Sequence, residues 1–405
     1  IKKCRISDDK KLINLCNFGD ITLTGVFPKD KKTKLKKTPL QVVFSNKSKL
    51  LQLKHNYNLN NLFGYNYGYR SSLNSSMKNH LYEKYTVLLK KIKLKKNDNI
   101  LDIGSNDGTF LNFFENNLNR YGCDPTSTKF KKYYSPSILR IPKVFSNKIK
   151  LISNKKFKLV TSIAMFYDLN DPLQFCYDVE KILHRDGVFH IEIAYLPDII
   201  KTFSFDTFCQ EHLTYYSLIS FEYLINKTNL KILDFKRNTI NGGSINFDLA
   251  LKSSKLKPKS KKINNLRSFE FKNNFHKTIK YKKFFKTVRQ NIKLIHQKID
   301  KISKTDSIYG FGASTKGNVT LQLCKLNGES IQGIFDINKE KFNKFTPGSN
   351  IKIIDEKKIM DKKPKYLLLL IWHFKKTIKN KLKKFNLKGT KLIWLFPKIK
   401  ITRHF

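Results

Sequence analysis

The sequence predicts an α/β protein: a central doubly wound domain on a parallel sheet, a second nucleotide-fold-like unit closing the chain, and a small unit in front of both. Three observations predict it. Strands alternate with helices through the middle of the chain, the pattern of a parallel sheet with crossover helices. Two strand–glycine turn–helix junctions occur, in "ILDIGSNDG" and "IYGFGASTKG". At 405 residues, 40% of them apolar, the chain exceeds what one core usually serves.

The elements follow in order. Residues 1–75 hold short strand-like pieces, "PLQVVF" and "LLQL", and a lysine-rich stretch from Lys29 to Lys37, too little for a large core of their own. Residues 76–250 form the central domain. A helical run from Met77 to Leu94 leads into "DNILDIGSNDGTFLNFF", read as strand, turn and helix; "RYGCDP", "FKLVTSIAMF" and "GVFHIEIAYL" supply further strands. Residues 251–405 form the last domain. It opens on a polar linker, "SSKLKPKSKK", and a helix whose apolar residues Phe285, Val288, Ile292, Ile295, Ile299 and Ile302 step by three and four. That seam predicts a helix lying on its own domain, with packing on a partner helix as the alternative. Then come "SIYGFGASTKGNVTLQLC", "ESIQGIFDINKEKFNKFTPG" and "PKYLLLLIWHF", again strands and helices in alternation.

The net charge is +49, with 80 basic against 31 acidic residues. Nucleic acid is the obvious partner for such a balance, but only nine of the cations are arginine, and arginine makes most bidentate phosphate and base contacts. The lysines are spread evenly, so the charge reads as a solvated surface, and no specific nucleic-acid partner is expected. A nucleotide-bearing substrate would be welcome. Six cysteines with no C-x-x-C pair, no signal-peptide pattern and no long apolar run predict reduced thiols, no membrane partner and a cytoplasmic enzyme.

In "ILDIGSNDG" the strand ends at Asp102, and Gly104 and Gly108 bracket a tight turn that includes Ser105 and Asn106. D-x-G-x-x-x-G is not a dinucleotide fingerprint. It suits S-adenosylmethionine, whose carboxylate and amine need mixed donors and acceptors, and Asp124 at the end of the next strand can accept both ribose hydroxyls. The second junction reads G-x-G-x-S-x-x-G, with Gly310, Gly312, Ser314, Lys316 and Gly317, and Asp336 farther on. It is either a phosphate site for a substrate, held at a helix N-terminus, or a structural turn.

Taken in order, "GYNYGYRSS", "ILDIGSNDGTFL", "GCDPTSTKF", "MFYDLNDP", "QEHLTYYS", "INGGSINF", "YGFGASTKGN", "FTPG" and "WHF" resemble the S-adenosylmethionine-dependent sugar C-methyltransferases of the three-domain, nucleotide-hexose type. The resemblance spans nearly the whole chain. It implies a class I methyltransferase domain in the centre, a Rossmann-like C-terminal domain and a small zinc-ribbon-like domain in front. It also implies methyl transfer to a carbon beside the keto group of a nucleotide-linked deoxysugar. That carbon reacts only after losing a proton, so the site needs a base and donors for the enolate oxygen. The family's E-H-L histidine lands on His212, with Glu211 beside it, and a tyrosine of the "YxYxS" region lands on Tyr67 or Tyr69, with Tyr67 preferred. Substrate contacts fall on Tyr69, Tyr215, Tyr216, Asn241, Gly312, Ser314 and Lys316.

Two departures stand out. Before Glu-His many relatives carry Tyr or Cys and then His, whereas this chain has Cys209 and Gln210. The family's two C-x-x-C pairs read here "CRIS" and "SNKS", so Cys4 alone remains and Ser7, Ser45 and Ser48 replace the other ligands. Serine is a poor zinc ligand at neutral pH, and no structural zinc is expected. Two other readings remain open: a nucleic-acid methyltransferase, from the charge, and a non-catalytic remnant, from the lost ligands.

Overall fold

The computed structural model describes residues 1–57, 62, 69–385 and 387–403. Three sheets follow one another along the chain. The first takes β1 (Ile13–Thr22), β2 (Lys37–Phe44) and β3 (Leu51–Leu53), antiparallel neighbours whose inner faces bury Leu40, Val42, Phe44 and Leu51.

Helix α1 (Ser75–Lys91), N-capped by the Asn74 side chain, leads into the central sheet. Its strands are β4 (Asn99–Ile103), β5 (Asn119–Cys123), β6 (Ile138–Ile141), β7 (Phe157–Ile163) and, after helix α2 (Pro172–Ile182), β8 (Leu183–Ala194). Helix α3 (Leu196–Thr202), the two-residue β9 (Thr214–Tyr215) and helix α4 (Leu218–Asn226) precede the hairpin β10 (Leu230–Asn238) and β11 (Ser244–Leu251). The order is β10-β11-β8-β7-β4-β5-β6, parallel from β8 to β6. The order reverses between β4 and β7, and the carboxyl ends of strands at such a point are where doubly wound sheets bind ligands.

Strand β9 leaves the central sheet and pairs with β3, Leu51 opposite Tyr215 and Gln52 opposite Thr214. The first sheet therefore gains its fourth strand from the segment that carries His212. This is how so small a unit finds a core.

Helix α5 (Ser260–Lys272) begins within the stretch read as a linker. It packs Ile263 and Leu266 into the central core, and its buried Glu270 accepts from Tyr195 Oη at 2.6 Å and from the amides of Leu218 and Ile219 at 2.7 and 3.0 Å. A carboxylate at the N-terminus of α4 is well placed against the helix dipole. The polar composition misled because only two apolar residues and one acid face inward. Helix α6 (Thr278–Ser303) buries Phe285, Val288, Ile295 and Ile299 and half-buries Ile292 and Ile302, so the expected seam packs not on the last domain alone but into a core shared by the first and third sheets.

The third sheet has β12 (Ile308–Phe311), helix α7 (Thr315–Leu323), β13 (Ile334–Asp336), β14 (Ile353–Asp355), β15 (Tyr366–Leu369), β16 (Lys391–Trp394) and β17 (Lys400–Arg403). The order β14-β13-β12-β15-β16-β17 is parallel up to its last strand, a second doubly wound sheet reversing beside β12.

One expected helix is absent. After the first glycine turn only a 3-10 turn forms, Leu111–Phe113. The stretch is rich in Phe and Asn, weak helix formers. The buried Arg120 guanidinium also takes the carbonyls of Leu111 and Phe114, at 3.4 and 2.7 Å, which a longer helix would use itself. Among the described residues, no helix is long and apolar enough to cross a membrane.

Candidate active site

The carboxyl ends of both parallel sheets face one cavity of about 1020 Å³. On the central-domain side, Gly104 (φ 80°) and Asn106 (φ 50°) turn the chain sharply out of β4. The Asn106 amide donates to Asp124 Oδ2 at 2.8 Å, and Asp124 Oδ1 accepts the Thr126 amide and hydroxyl, both at 2.6 Å. Asp102 accepts from Thr161 Oγ1 at 2.6 Å, and burial pushes its carboxyl up to about 7. Asp102, Gly104, Ser105, Asn106 and Asp124 all line the cavity. Gly108 (φ 73°) lies behind the turn, where a Cβ would come within 2.8 Å of the Tyr134 ring; Tyr134 Oη in turn bonds Ser105 Oγ and the Asn106 carbonyl at 2.9 and 2.8 Å. Gly108 thus shapes the turn without reaching the cavity. The segment before α1 covers it, the Ser71 and Ser72 amides donating to Asn106 and Asp107 at 3.0 Å each.

His212 lines the same cavity. Its Nδ1 donates to the Thr207 carbonyl at 2.8 Å, which fixes the tautomer and leaves the Nε2 lone pair free to accept a proton. The Tyr167 ring meets the imidazole edge-on, centroids 4.6 Å apart. Burial, and then the charge of Lys316, push the imidazole down to about 4, so it is neutral across the physiological range. Glu211 lines the cavity, and burial pushes its carboxyl up to about 7. Gly25 from the first sheet's loop lies so close that a Cβ there would meet Glu211 Oε1 at 2.8 Å. The small N-terminal unit therefore forms part of the site wall.

Cys209, Glu211 and His212 are the one trio among the described residues whose donor atoms come within 4.8 Å of one another. Burial holds the Cys209 thiol far above its ordinary value, and a protonated thiol is a poor metal ligand. Gln210 turns away from the cavity: its Nε2 donates to the Ile21 carbonyl and Thr38 Oγ1 at 3.2 and 3.1 Å, fastening the His212 segment to the first sheet.

The opposite wall is the second glycine turn. Gly312 (φ 89°) has no room for a Cβ, which would meet Ile371 at 2.6 Å. Ser314 caps α7 by accepting the Gly317 amide at 2.9 Å. Lys316 Nζ donates to the carbonyl of Asn241, itself in the left-handed region at φ 54°. Gly312, Ser314, Lys316 and Asn241 all line the cavity, with Lys341, Lys381 and Lys384 beside them.

Of the tyrosines expected to touch substrate, Tyr69 lines the cavity. Tyr67 lies outside the described residues. Tyr215 and Tyr216 do not reach the wall. They are 2% and 0% exposed, and the alternation of strand β9 sends Tyr215 into the core beneath the first sheet and Tyr216 into the central core. Asp168, Tyr167, Lys341 and His373 line the cavity without having been singled out from sequence, although Asp168 and His373 fall within "MFYDLNDP" and "WHF".

Around the four former zinc positions, Cys4 Sγ lies 3.2 Å from Ser48 Oγ, Ser45 Oγ donates to Asp9 Oδ2 at 2.6 Å, and the Asp9 amide donates to Ser7 Oγ at 3.4 Å. Hydrogen bonds centred on Asp9 join the residues that the family pattern gives to a metal.

Residues 74–234 match the family model of a methyltransferase domain, and residues 239–397 that of a C-methyltransferase C-terminal domain. The C-methyltransferase NovU of Streptomyces niveus is 27% identical over 412 residues, which span 99% of this chain and 97% of that protein. Among solved structures, an S-adenosylmethionine-dependent methyltransferase from Clostridium acetobutylicum is 15% identical with a TM-score of 0.33, covering 42% of this chain and 91% of its own. A protein from Pyrococcus horikoshii OT3 is 15% identical with a TM-score of 0.36, covering 45% and 94%.

Proposed function

We infer, for a chain that belongs to the S-adenosylmethionine-dependent C-methyltransferases, that the methyl acceptor is a carbon beside the keto group of a nucleotide-linked deoxysugar and that His212 takes the proton from it. The observation that carries this reading is a single cavity with three different walls: the Asp102–Asn106 turn, the His212 segment, and a lysine-lined turn opposite both.

The first wall fits the methyl donor. Asp102 and Asp124 present carboxylates suited to an ammonium group and a ribose diol, and Val144, Phe145, Met165 and Phe175 add apolar lining suited to a purine. When bound, S-adenosylmethionine supplies an electrophilic methyl group on a sulfonium.

His212 is built to be a base. With Nδ1–H spent on Thr207, Nε2 accepts a proton from carbon, and the acidity of that carbon comes from the adjacent carbonyl. Lys316, Lys341, Lys381 and Lys384, with the α7 N-terminus, supply the positive field that a diphosphate needs. They hold the nucleotide end while the sugar reaches His212, so that orientation is set far from the reacting carbon.

The test is mass spectrometry of nucleotide-linked 4-keto-6-deoxysugars incubated with protein and donor. A gain of one methyl group on carbon is expected. No gain across the panel, or methylation on oxygen, would overturn the reading.

A further inference from the structure

Two carboxyl groups beside His212 have no cation to face. Asp168 ends the short turn Phe166–Asp168 after β7, and Glu211 precedes the base; both line the cavity. Glu211 is 6% exposed, and its Oε1 has no hydrogen-bond partner among the described residues; neither has the solvent-shielded Oδ1 of Asp168. The neighbours that act on Asp168 and its surroundings are Glu211, Tyr167, Cys209 and Tyr215, none of them cationic. The cation facing His212 is Lys316, already bonded to the Asn241 carbonyl.

Glu192 shows the contrast. It is equally buried but meets Lys84 at 2.9 Å and His80 at 2.8 Å, which hold it as a carboxylate. Glu211 is buried and Asp168 half-buried with a shielded Oδ1, and two neighbouring carboxylates without such partners do not both ionise. Burial raises Glu211, and burial together with the charge of Glu211 raises Asp168 well above the ordinary carboxylate range.

We propose that Asp168 and Glu211 form a carboxyl pair in the cavity wall that carries one proton, which makes Asp168 a catalytic residue that donates to the carbonyl oxygen while His212 removes the proton from carbon. The proposal rests on the acceptor chemistry inferred above. The C–H bond breaks and its proton goes to His212 Nε2. The electron pair moves through the new carbon–carbon double bond onto the carbonyl oxygen, which takes the single proton of the pair from Asp168 and leaves two carboxylates, offset at that moment by the imidazolium that His212, next to Glu211, has become. As the new bond to the methyl carbon forms, the methyl–sulfur bond of the donor would break with its electron pair left on sulfur, the carbonyl is restored and the O–H proton returns to the pair. The pair therefore starts and ends the cycle with one proton, and the carbon-bound proton leaves through His212.

The test has two arms, both on the full chain with the spent donor S-adenosylhomocysteine present. In the first, infrared difference spectroscopy on wild type, Asp168→Asn and Glu211→Gln reads the carbonyl stretch of a protonated carboxylic acid at neutral pH. The band is expected in wild type and lost in Asp168→Asn, whose side chain is nearly isosteric. In the second, exchange of the α-proton of a nucleotide keto-sugar into deuterated water is followed in Asp168→Leu and Asp168→Asn. Exchange is expected to slow by about 100-fold in Asp168→Leu, and less in Asp168→Asn, which keeps a donor, with KM and the affinity for S-adenosylhomocysteine unchanged. A band absent from wild type or surviving in Asp168→Asn overturns the proposal, as does wild-type exchange in Asp168→Leu. Failure of the acceptor reading looks different: wild type exchanges no keto-sugar proton while the infrared band still follows Asp168.

Discussion

The backbone amide of Ala313 donates to Asp336 Oδ2 at 2.8 Å, and in the central domain Asn106 donates to Asp124 Oδ2 at the same distance. In each case the other carboxylate oxygen accepts an amide two residues on, Asn338 at 2.7 Å and Thr126 at 2.6 Å. The same device ties the turn after a first strand to the acid ending the second, once on either side of the cavity. It predicts separable losses. Asp124→Ala should weaken S-adenosylhomocysteine binding by about 2 kcal/mol, roughly thirtyfold, and spare a nucleoside diphosphate, while Asp336→Ala should do the reverse. Calorimetric titration of each variant with both ligands checks this; equal losses on both would show a folding defect instead.

Donor affinity should depend on pH through Asp102. Burial raises its carboxyl to about 7, so near neutrality it is partly protonated, whereas pairing with the donor's ammonium requires the ionised form. Affinity should therefore fall as pH drops from 8 to 6, by up to tenfold for each unit below the pKa of the free protein. Asp102→Asn should bind weakly and without this slope. A flat profile in wild type would remove Asp102 from the donor site.

The split between what was legible and what was not follows the range of the interactions. Asp102, Gly104, Asn106 and Asp124, like Gly312, Ser314 and Lys316, sit at strand ends and glycine turns whose signature is local, and all line the cavity. Tyr215 and Tyr216 were misplaced because their directions depend on β9 pairing with β3, a partner far away in sequence. Gly25 carries no local signature, and its relation to Glu211 exists only once the first sheet docks on the central one; Asp168 lies within "MFYDLNDP", but its nearness to Glu211 comes from the folding of the central domain. The missing helix after Gly108 has the same origin, since Arg120 competes for its carbonyls from a neighbouring strand.

The serine-for-cysteine replacements make a reversible prediction. Ser7, Ser45 and Ser48 are buried with Cys4, and Cys4 Sγ is already 3.2 Å from Ser48 Oγ. Elemental analysis should find no stoichiometric zinc in the wild-type protein. The triple variant Ser7→Cys, Ser45→Cys, Ser48→Cys should bind one zinc ion, since four thiolates then converge, and should melt higher with the metal than after chelation. Zinc in the wild type, or none in the variant, would show that the hydrogen-bonded cluster is not a replaced metal site.

Replacing His212 should stop chemistry without emptying the site. His212→Asn should lower kcat by about 10²–10⁴-fold with unchanged S-adenosylhomocysteine affinity. The wild-type profile is equally diagnostic. Because burial pushes the imidazole down to about 4, Nε2 stays unprotonated well below the ordinary histidine range, and with donor saturating the acid limb of the rate should lie near 4. A limb near the ordinary value would mean that the base is another group.

Stability in acid should be governed by the buried network under α1. Burial alone would raise the Glu192 carboxyl, but Lys84 and His80 more than reverse this, and it ends well below the carboxylate range; Asp248, bonded to His190 and Lys91 at 2.6 Å each, does the same. Both folded-state values lie below the unfolded ones. Their contribution is thus fully present above the unfolded carboxylate pKa of about 4 and is lost as pH falls through the folded values. Lys84→Met removes the cation and leaves buried Glu192 with only His80 and the Asn238 amide, at a cost of up to about 3–5 kcal/mol at pH 7. In that variant Glu192 titrates upward, so protonation relieves the defect, and the gap from wild type should narrow as pH falls toward 4. Urea unfolding of both proteins at several pH values measures the gap. A gap that stays constant would mean that Lys84 acts by packing its methylenes, not by holding the charge of Glu192.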